Sequence, residues 1–121
     1  MAESPVDLSN LHVLTDNNPV FETELFTQFL DSAATCLLGM RRAFNASDEG
    51  AWRREAHALK GLSYNLGAKG LGDLCALAQG DNRAAEDDKA IMLKEIADEL
   101  GRVGDYLVEC IAAASSDHSQ L

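Results

Sequence analysis

The chain has 121 residues, which is enough for one domain around a single core. Its 20 acidic and 10 basic residues give a formal net charge of -10, which disfavours nucleic acids and anionic membranes as partners. No segment has the roughly 18 consecutive apolar residues of a membrane span, and the N-terminus lacks the basic-then-apolar pattern of a signal peptide. We therefore expect a cytoplasmic protein.

The first two predicted elements are a short helical segment and a long helix. Residues 7–14 form an amphipathic segment with apolar positions at Leu8, Leu11 and Leu14. The turn-like sequence TDNNP leads to a helix that begins near Pro19, whose fixed φ suits a first helical turn. Its apolar residues recur every three or four positions and form one face: Leu25, Phe29, Ala33, Cys36, Met40 and Ala43. The sequence Asn45-Ala-Ser-Asp is predicted to end this helix.

Three more helices follow. The third begins after a cap at Ser47 or Asp48 and runs to about Leu66, with Gly67 as terminator. The fourth covers about 68–79, and the polar sequence GDNRAAEDD leads into a last helix over about 85–114. Residues 1–5 and 115–121 are expected to be mobile tails. Every predicted element is helical, and no stretch alternates like a strand.

Four helices with one apolar face each, joined by short turns, predict an all-α fold. The simplest arrangement is an antiparallel up-down four-helix bundle, with the short N-terminal helix covering one end or side. We find no internal repeat or linker, so residues 1–121 are expected to form a single domain.

The third predicted helix separates a core stripe from an exposed histidine. At about 100° per residue, one stripe contains Trp52, Ala56, Leu59, Ser63 and Leu66. His57 falls about 160° from Leu59 and is predicted to face water. The residues three, four or seven positions from it are Arg53, Arg54, Lys60, Gly61 and Tyr64. A surface histidine beside solvated charges is the plain alternative.

Two features of this face favour phosphoryl chemistry over that alternative. A glycine inside a helix costs roughly 1 kcal/mol, so propensity gives no reason for Gly61, but its missing side chain clears an approach to the imidazole. Lys60 offers a point charge suited to a phosphoryl oxygen, and Arg53 or Arg54 supplies a second.

Residues 56–79, AHALKGLSYNLGAKGLGDLCALAQ, resemble the signature of histidine phosphotransfer domains. That family places the phosphorylated histidine before Lys at +3 and Gly at +4, then an Asn-Leu-Gly-Ala helix end and a Leu-x-x-Leu-Cys helix. The matching residues are His57, Lys60, Gly61, Asn65 to Ala68, Leu71, Leu74 and Cys75. Leu62 and Tyr64 are bulkier than the family usually has. The likeness extends more weakly over the second and last helices.

The resemblance implies a phosphorelay intermediate. His57 would accept a phosphoryl group from the aspartyl phosphate of a response-regulator receiver domain and transfer it to another, with a sensor or hybrid histidine kinase upstream. The protein itself would need no cofactor, since Mg²⁺ is expected on the receiver. It is expected to be a monomeric carrier rather than an enzyme, because the sequence has no glycine-rich loop or P-loop.

The order of the helices and their short connections predict which surface docks a receiver. Antiparallel packing brings residues 34–38 of the second helix and the end of the fourth helix level with His57. The predicted docking residues are Arg53, Arg54, Tyr64, Leu30, Ala34, Leu37 and Gln79. It is equally consistent with the pattern that Leu30 and Leu37 simply widen the core stripe.

Three other functions compete with the relay. A helical adaptor or inhibitor would bind a receiver through the same face without transferring phosphate. A phosphoacceptor module of a chemotaxis-type kinase shares His-x-x-Lys-Gly, but Asn65 to Ala68 fits the relay type better. A metal enzyme is disfavoured because His12, His57 and His118 lie in separate elements, and Cys36, Cys75 and Cys110 fit apolar helical patterns as reduced core residues.

Overall fold

The computed structural model describes the backbone of residues 4–119 and the side chains of residues 4–114. Its five helices are α1 (Ser9–Thr15), α2 (Pro19–Ala46), α3 (Glu49–Leu66), α4 (Lys69–Gly80) and α5 (Glu86–Ser119). Within the described range there is no strand, so the all-α prediction is confirmed. None of these helices combines the length and the apolar character that crossing a membrane requires.

The four long helices form the predicted bundle. Each packs against two others, in the pairs α2–α3, α3–α4, α4–α5 and α2–α5, and α1 packs on α2. The core lies between them, and its largest fully buried side chains are Trp52, Met40, Leu59, Leu71, Ile96 and Leu107. Helices of one apolar face each can bury those faces together only in such a closed arrangement.

Several predicted helix ends differ from the structure. α2 continues through Asn45 to Ala46, because Ser47 takes the left-handed conformation and the amides of Ser47 and Asp48 donate to carbonyls of the last turn. α5 reaches Ser119, five residues beyond the predicted end at Ala114, so the predicted C-terminal tail is helical up to that point. Residues 1–3 and 120–121 of the predicted mobile tails lie outside the described residues.

The buried faces also needed two corrections. In α1 the third buried position is Thr15, 5% exposed, whereas Leu14 is 79% exposed, because a spacing of three then four keeps Leu8, Leu11 and Thr15 on one face. In α2 Phe26 is buried where the predicted stripe has Leu25, which is only half-buried.

Gly67 joins α3 to α4 and also holds the N-terminal segment. Its φ of 103° ends α3 in the left-handed conformation, as predicted for a glycine terminator. The amide of Asp7 donates a 2.9 Å hydrogen bond to the Gly67 carbonyl, and a Cβ on Gly67 would overlap the Asp7 carbonyl oxygen. Two independent constraints therefore require glycine here, and the contact brings Val6 and Leu8 into the core.

Candidate functional site

His57 lies in the middle of α3 and is exposed. The buried residues of α3 are those of the predicted stripe: Trp52, Ala56, Leu59, Ser63 and Leu66. The imidazole is therefore carried on the side of α3 that faces away from the core, as the helical wheel predicts.

α3 is a well-anchored platform for this histidine. Asp48 caps its start by accepting a 3.0 Å hydrogen bond from the Ala51 amide. Trp52 is fully buried, and its indole Nε1 donates a 2.9 Å hydrogen bond to the Ala78 carbonyl of α4. The Lys89 ammonium of α5 lies 5.1 Å from the Trp52 ring centroid, within cation–π range. These contacts tie α3 to two neighbours one to two turns from His57.

Three cations surround His57 on α3. Arg53 and Arg54 are exposed, and Lys60 is half-buried. None of the ion pairs formed among the described residues involves these three side chains. Their charges are thus directed at solvent or at a partner, in a protein whose total charge is -10.

Gly61, one turn after His57, leaves open space. A Cβ built on it would meet no heavy atom within 4 Å outside its own helix. The fold therefore has room for a side chain here, unlike at Gly39 of α2, where a Cβ would overlap the Glu55 carboxylate of α3. Because Gly61 has no side chain, nothing at this position protrudes from α3 near His57.

Tyr64 is turned towards α4. Its ring lies over Gly72, where a Cβ would overlap the ring, and its hydroxyl donates a 2.6 Å hydrogen bond to Asp73 Oδ1. That hydrogen bond is the main reason the pKa of Tyr64 is raised above its usual value, with burial adding to it. Lys69 donates to the other Asp73 oxygen at 2.9 Å. Tyr64 is thus 43% exposed at the α3–α4 edge, with its hydroxyl already bonded.

On α2, the predicted docking residues fall on two sides. Gly39 faces Glu55 across the antiparallel α2–α3 contact, which puts His57 level with about residue 37. Leu30 is half-buried, and its Cδ2 lies 3.6 Å from where a Cβ on Gly104 of α5 would stand. Leu37, two turns later, is also half-buried against the core. This placement favours the alternative that both leucines widen the core stripe. Ala34 is exposed.

Leu38 is an apolar residue at the His57 level that the sequence reasoning did not select. Its side chain is 47% exposed although it follows the half-buried Leu37. A leucine about 170° away from the centre of the predicted core stripe was the available signal.

Gln79 of α4 has an unsatisfied polar atom. The residue is half-buried, and its side-chain Oε1 is buried with no hydrogen-bond partner among the described residues. An amide oxygen in this state costs free energy. It lies one residue after Ala78, whose carbonyl accepts from Trp52 on α3.

No metal site is present in the described part of the chain, since no three His, Cys, Asp or Glu side chains come together there as a ligand set. The site therefore consists of an exposed imidazole, three cations without ion-pair partners and an open approach at Gly61.

A protein-family model described as "Hpt domain" matches residues 24–106, which run from the start of α2 to the second half of α5. This range includes α3 and every predicted site residue. Comparisons with curated proteins and with solved structures gave no match.

Proposed function

Because this chain belongs to the Hpt domain family, whose members carry phosphoryl groups on histidine in phosphorelays, we propose that His57 is its phosphorylated residue. His57 accepts the phosphoryl group from the aspartyl phosphate of one receiver domain and transfers it to the aspartate of another. The observation that carries this proposal is the position of His57: exposed at mid-helix on α3, beside the open space at Gly61.

The transfer needs only a nucleophile and positioning from this chain. The Nε2 lone pair of His57 forms the N–P bond as the bond from phosphorus to the aspartyl oxygen breaks, and the carboxylate leaves with the bonding electrons. The proton on Nδ1 stays in place during this step. Such transition states are loose and rich in negative charge, so rate depends mainly on alignment and nearby cations.

Lys60, Arg53 and Arg54 supply that positive charge from this side of the complex. Their lack of ion-pair partners in the described structure supports the role, because a cation already paired with a carboxylate has less to offer a phosphoryl oxygen. Mg²⁺ is expected on the receiver.

The receiver docks on the outer side of α3 with rim contacts from α2 and α4. Leu38 and Ala34 provide an apolar, low-relief edge on α2, and the half-buried side chain of Gln79 lies at the edge formed by α4. Tyr64 contributes its exposed ring edge. The partners are response-regulator receiver domains and a sensor or hybrid histidine kinase, and the carrier works as a monomer in the cytoplasm.

The decisive experiment incubates the protein with a phosphorylated receiver and Mg²⁺ and measures acid-labile, base-stable label on the carrier. The parent becomes labelled and His57→Gln does not. The matched control is His12→Gln, since His12 is the other histidine with a described side chain and lies on α1 rather than on α3. Equal labelling of His57→Gln and the parent would contradict the proposal.

The same experiment distinguishes the adaptor alternative. An adaptor binds the receiver through the α3 face without becoming labelled. If the parent binds a phosphorylated receiver but remains unlabelled, and the receiver keeps its phosphate, the adaptor is the correct function and the relay is excluded.

A further inference from the structure

Four large apolar side chains are exposed around the turn between α1 and α2. Val13 is 80% exposed, Leu14 79%, Val20 65% and Phe21 46%. We call these four residues the α1–α2 tip. The turn between them is tight, with the Asn17 amide donating to the His12 carbonyl at 3.0 Å and the Asn18 amide donating to Thr15 at 3.1 Å. Single exposed apolar residues are ordinary, but four within nine positions form a concentrated apolar surface.

The tip is distant from the His57 face. His57 is level with about residue 37 of α2, and Val20 lies 17 positions earlier on that helix. At 1.5 Å per residue the separation along the bundle is about 25 Å. The tip therefore lies outside the surface immediately around His57.

The surroundings of the tip are acidic. Residues 1–40 and 103–121 contain no Lys or Arg. Asp7 and Asp16 flank α1, and the first half of α2 and the end of α5 carry acidic residues without basic ones. Lys69 and Arg102, on the neighbouring helices, are paired with Asp73 at 2.9 Å and Glu99 at 2.7 Å. The Lys and Arg side chains that enter no ion pair among the described residues begin at Arg41, in the second half of α2, and include Arg53, Arg54 and Lys60 of α3.

A cavity of about 490 Å³ lies beside the tip, between α1, α2 and α5. Its walls are mainly apolar, with Leu8, Phe26 and Ala113 among them, but Glu22 also lines it. The hydrogen bonds that His12 and Thr15 make to Glu22 are both accepted by Oε2, which leaves Oε1 for another donor. A carboxylate in an apolar recess favours a long side chain with an aliphatic stem and a cationic head.

We propose that the α1–α2 tip is a second docking surface, and that its occupant is a protein segment with apolar residues flanked by Lys or Arg. Apolar side chains of the segment cover the tip, and its cations face the acidic surround and Glu22. A second copy of this chain fits poorly, because a symmetric contact would bring two acidic surrounds together without compensating cations. Nucleic acids and anionic membranes are repelled by the same charge.

The test uses a synthetic helix of about 18 Leu and Lys residues as the probe, with binding followed by fluorescence anisotropy near physiological ionic strength. The tip variants are Val13→Ser/Leu14→Ser and Val20→Ser/Phe21→Ser. The matched control is Ile91→Ser/Val108→Ser, which removes two apolar side chains of α5 that are each 57% exposed. All variants keep the net charge of -10, so a change in binding reports on the apolar contact.

Both tip variants are expected to weaken probe binding by about tenfold or more, while the control stays within about twofold of the parent. Circular dichroism verifies that each variant is folded, and label transfer to His57 remains at the parental rate. Parental affinity in the tip variants, or an equal loss in the control, overturns the proposal.

Three further measurements identify a different occupant. Equal binding of a Leu/Glu helix overturns the requirement for a basic segment. Self-association of the parent in sedimentation that the tip variants lack assigns the tip to a second copy instead. Binding of phosphatidylcholine vesicles that is lost in the tip variants assigns it to a membrane surface.

Discussion

Gly61 and Gly72 both interrupt helices next to the site, yet the fold requires only one of them. Gly72 is buried under the Tyr64 ring, and a Cβ there would overlap the ring. At Gly61 a Cβ would meet nothing within 4 Å outside its own helix. Packing therefore explains Gly72. Gly61, in contrast, lowers the stability of α3, and no contact in the described structure requires a glycine there. A partner that approaches His57 closely supplies the missing reason.

Gly61→Ala is expected to separate stability from function. The free energy of unfolding rises by about 0.5–1 kcal/mol, because alanine loses less conformational freedom in a helix. Phosphoryl transfer from a receiver becomes slower, since the new methyl group takes up open space that the docking receiver would fill. Urea unfolding measures the first effect and single-turnover label transfer measures the second.

Gly101→Ala is the matched control for that change. Gly101 is an exposed glycine inside α5 with nothing within 4 Å of its Cβ position, so the stability gain should be similar. Its transfer rate should stay at the parental value. If Gly61→Ala transfers as fast as Gly101→Ala, the open space at Gly61 has no role in docking.

For Tyr64, the sequence predicts exposure but not the contacts of the side chain. The helical period places it on the same side of α3 as His57, and its exposure was predicted correctly. The period does not determine its partners, because Gly72 and Asp73 belong to α4 and meet Tyr64 only after the α3–α4 turn has formed. The same holds for Gln79, whose unsatisfied oxygen depends on burial by neighbouring helices.

At the scale of elements, α1 is held to α2 by a carboxylate. Glu22 of α2 is only 9% exposed and accepts hydrogen bonds at Oε2 from Thr15 Oγ1 at 2.5 Å and from His12 Nδ1 at 2.7 Å. Burial is the largest single influence and raises the pKa of Glu22. The hydrogen bonds from Thr15 and His12, with the His12 charge, outweigh it, so the pKa lies below its usual value.

Glu22 should therefore make stability depend on pH in the acid range. Because its pKa is lower in the folded than in the unfolded protein, its contribution is complete above about 4.5, the unfolded value, and is lost as the pH falls through the folded value. Glu22→Gln is expected to lower the free energy of unfolding by about 1–3 kcal/mol at neutral pH. The difference from the parent should shrink towards about pH 3 in urea titrations.

Glu24→Gln controls for the loss of a negative charge from the same helix. Glu24 is exposed, so its replacement should change stability little at any pH. A difference between parent and Glu22→Gln that stays constant from neutral to acid pH would show that the ionised carboxylate is not what holds α1.

At the scale of the whole molecule, the reactivity of the cysteine thiols shows whether the helical bundle is closed. Cys75 is fully buried, and burial, its main influence, raises its pKa to about 12. Burial likewise raises the pKa values of Cys36 and Cys110, but Cys110 is only half-buried. Because the thiolate is the reactive form, both burial and the raised pKa values slow modification of the folded protein.

Iodoacetamide is expected to modify Cys110 first, with Cys36 and Cys75 following only when the bundle opens. In Cys110→Ser the remaining modification should accelerate with urea along the unfolding transition, because access to Cys75 requires separation of the helices. In fully denaturing urea, all thiols should react at similar rates. A fast-reacting thiol in native Cys110→Ser would mean that the core is more open than the bundle described here.

The sequence by itself determined the helical class, the bundle, the core stripe of α3 and the exposed position of His57, because all follow from the local period of 3.6 residues and from short turns. It also determined the histidine phosphotransfer signature, which is confirmed by the family match over residues 24–106. Only the tertiary structure decided that Leu30 faces α5, that Tyr64 bonds to Asp73, that Glu22 holds α1 and that α5 continues to Ser119. The contacts of Leu30, Tyr64 and Glu22 depend on which helices become neighbours. The end of α5 depends on where a helix stops when no glycine or proline ends it.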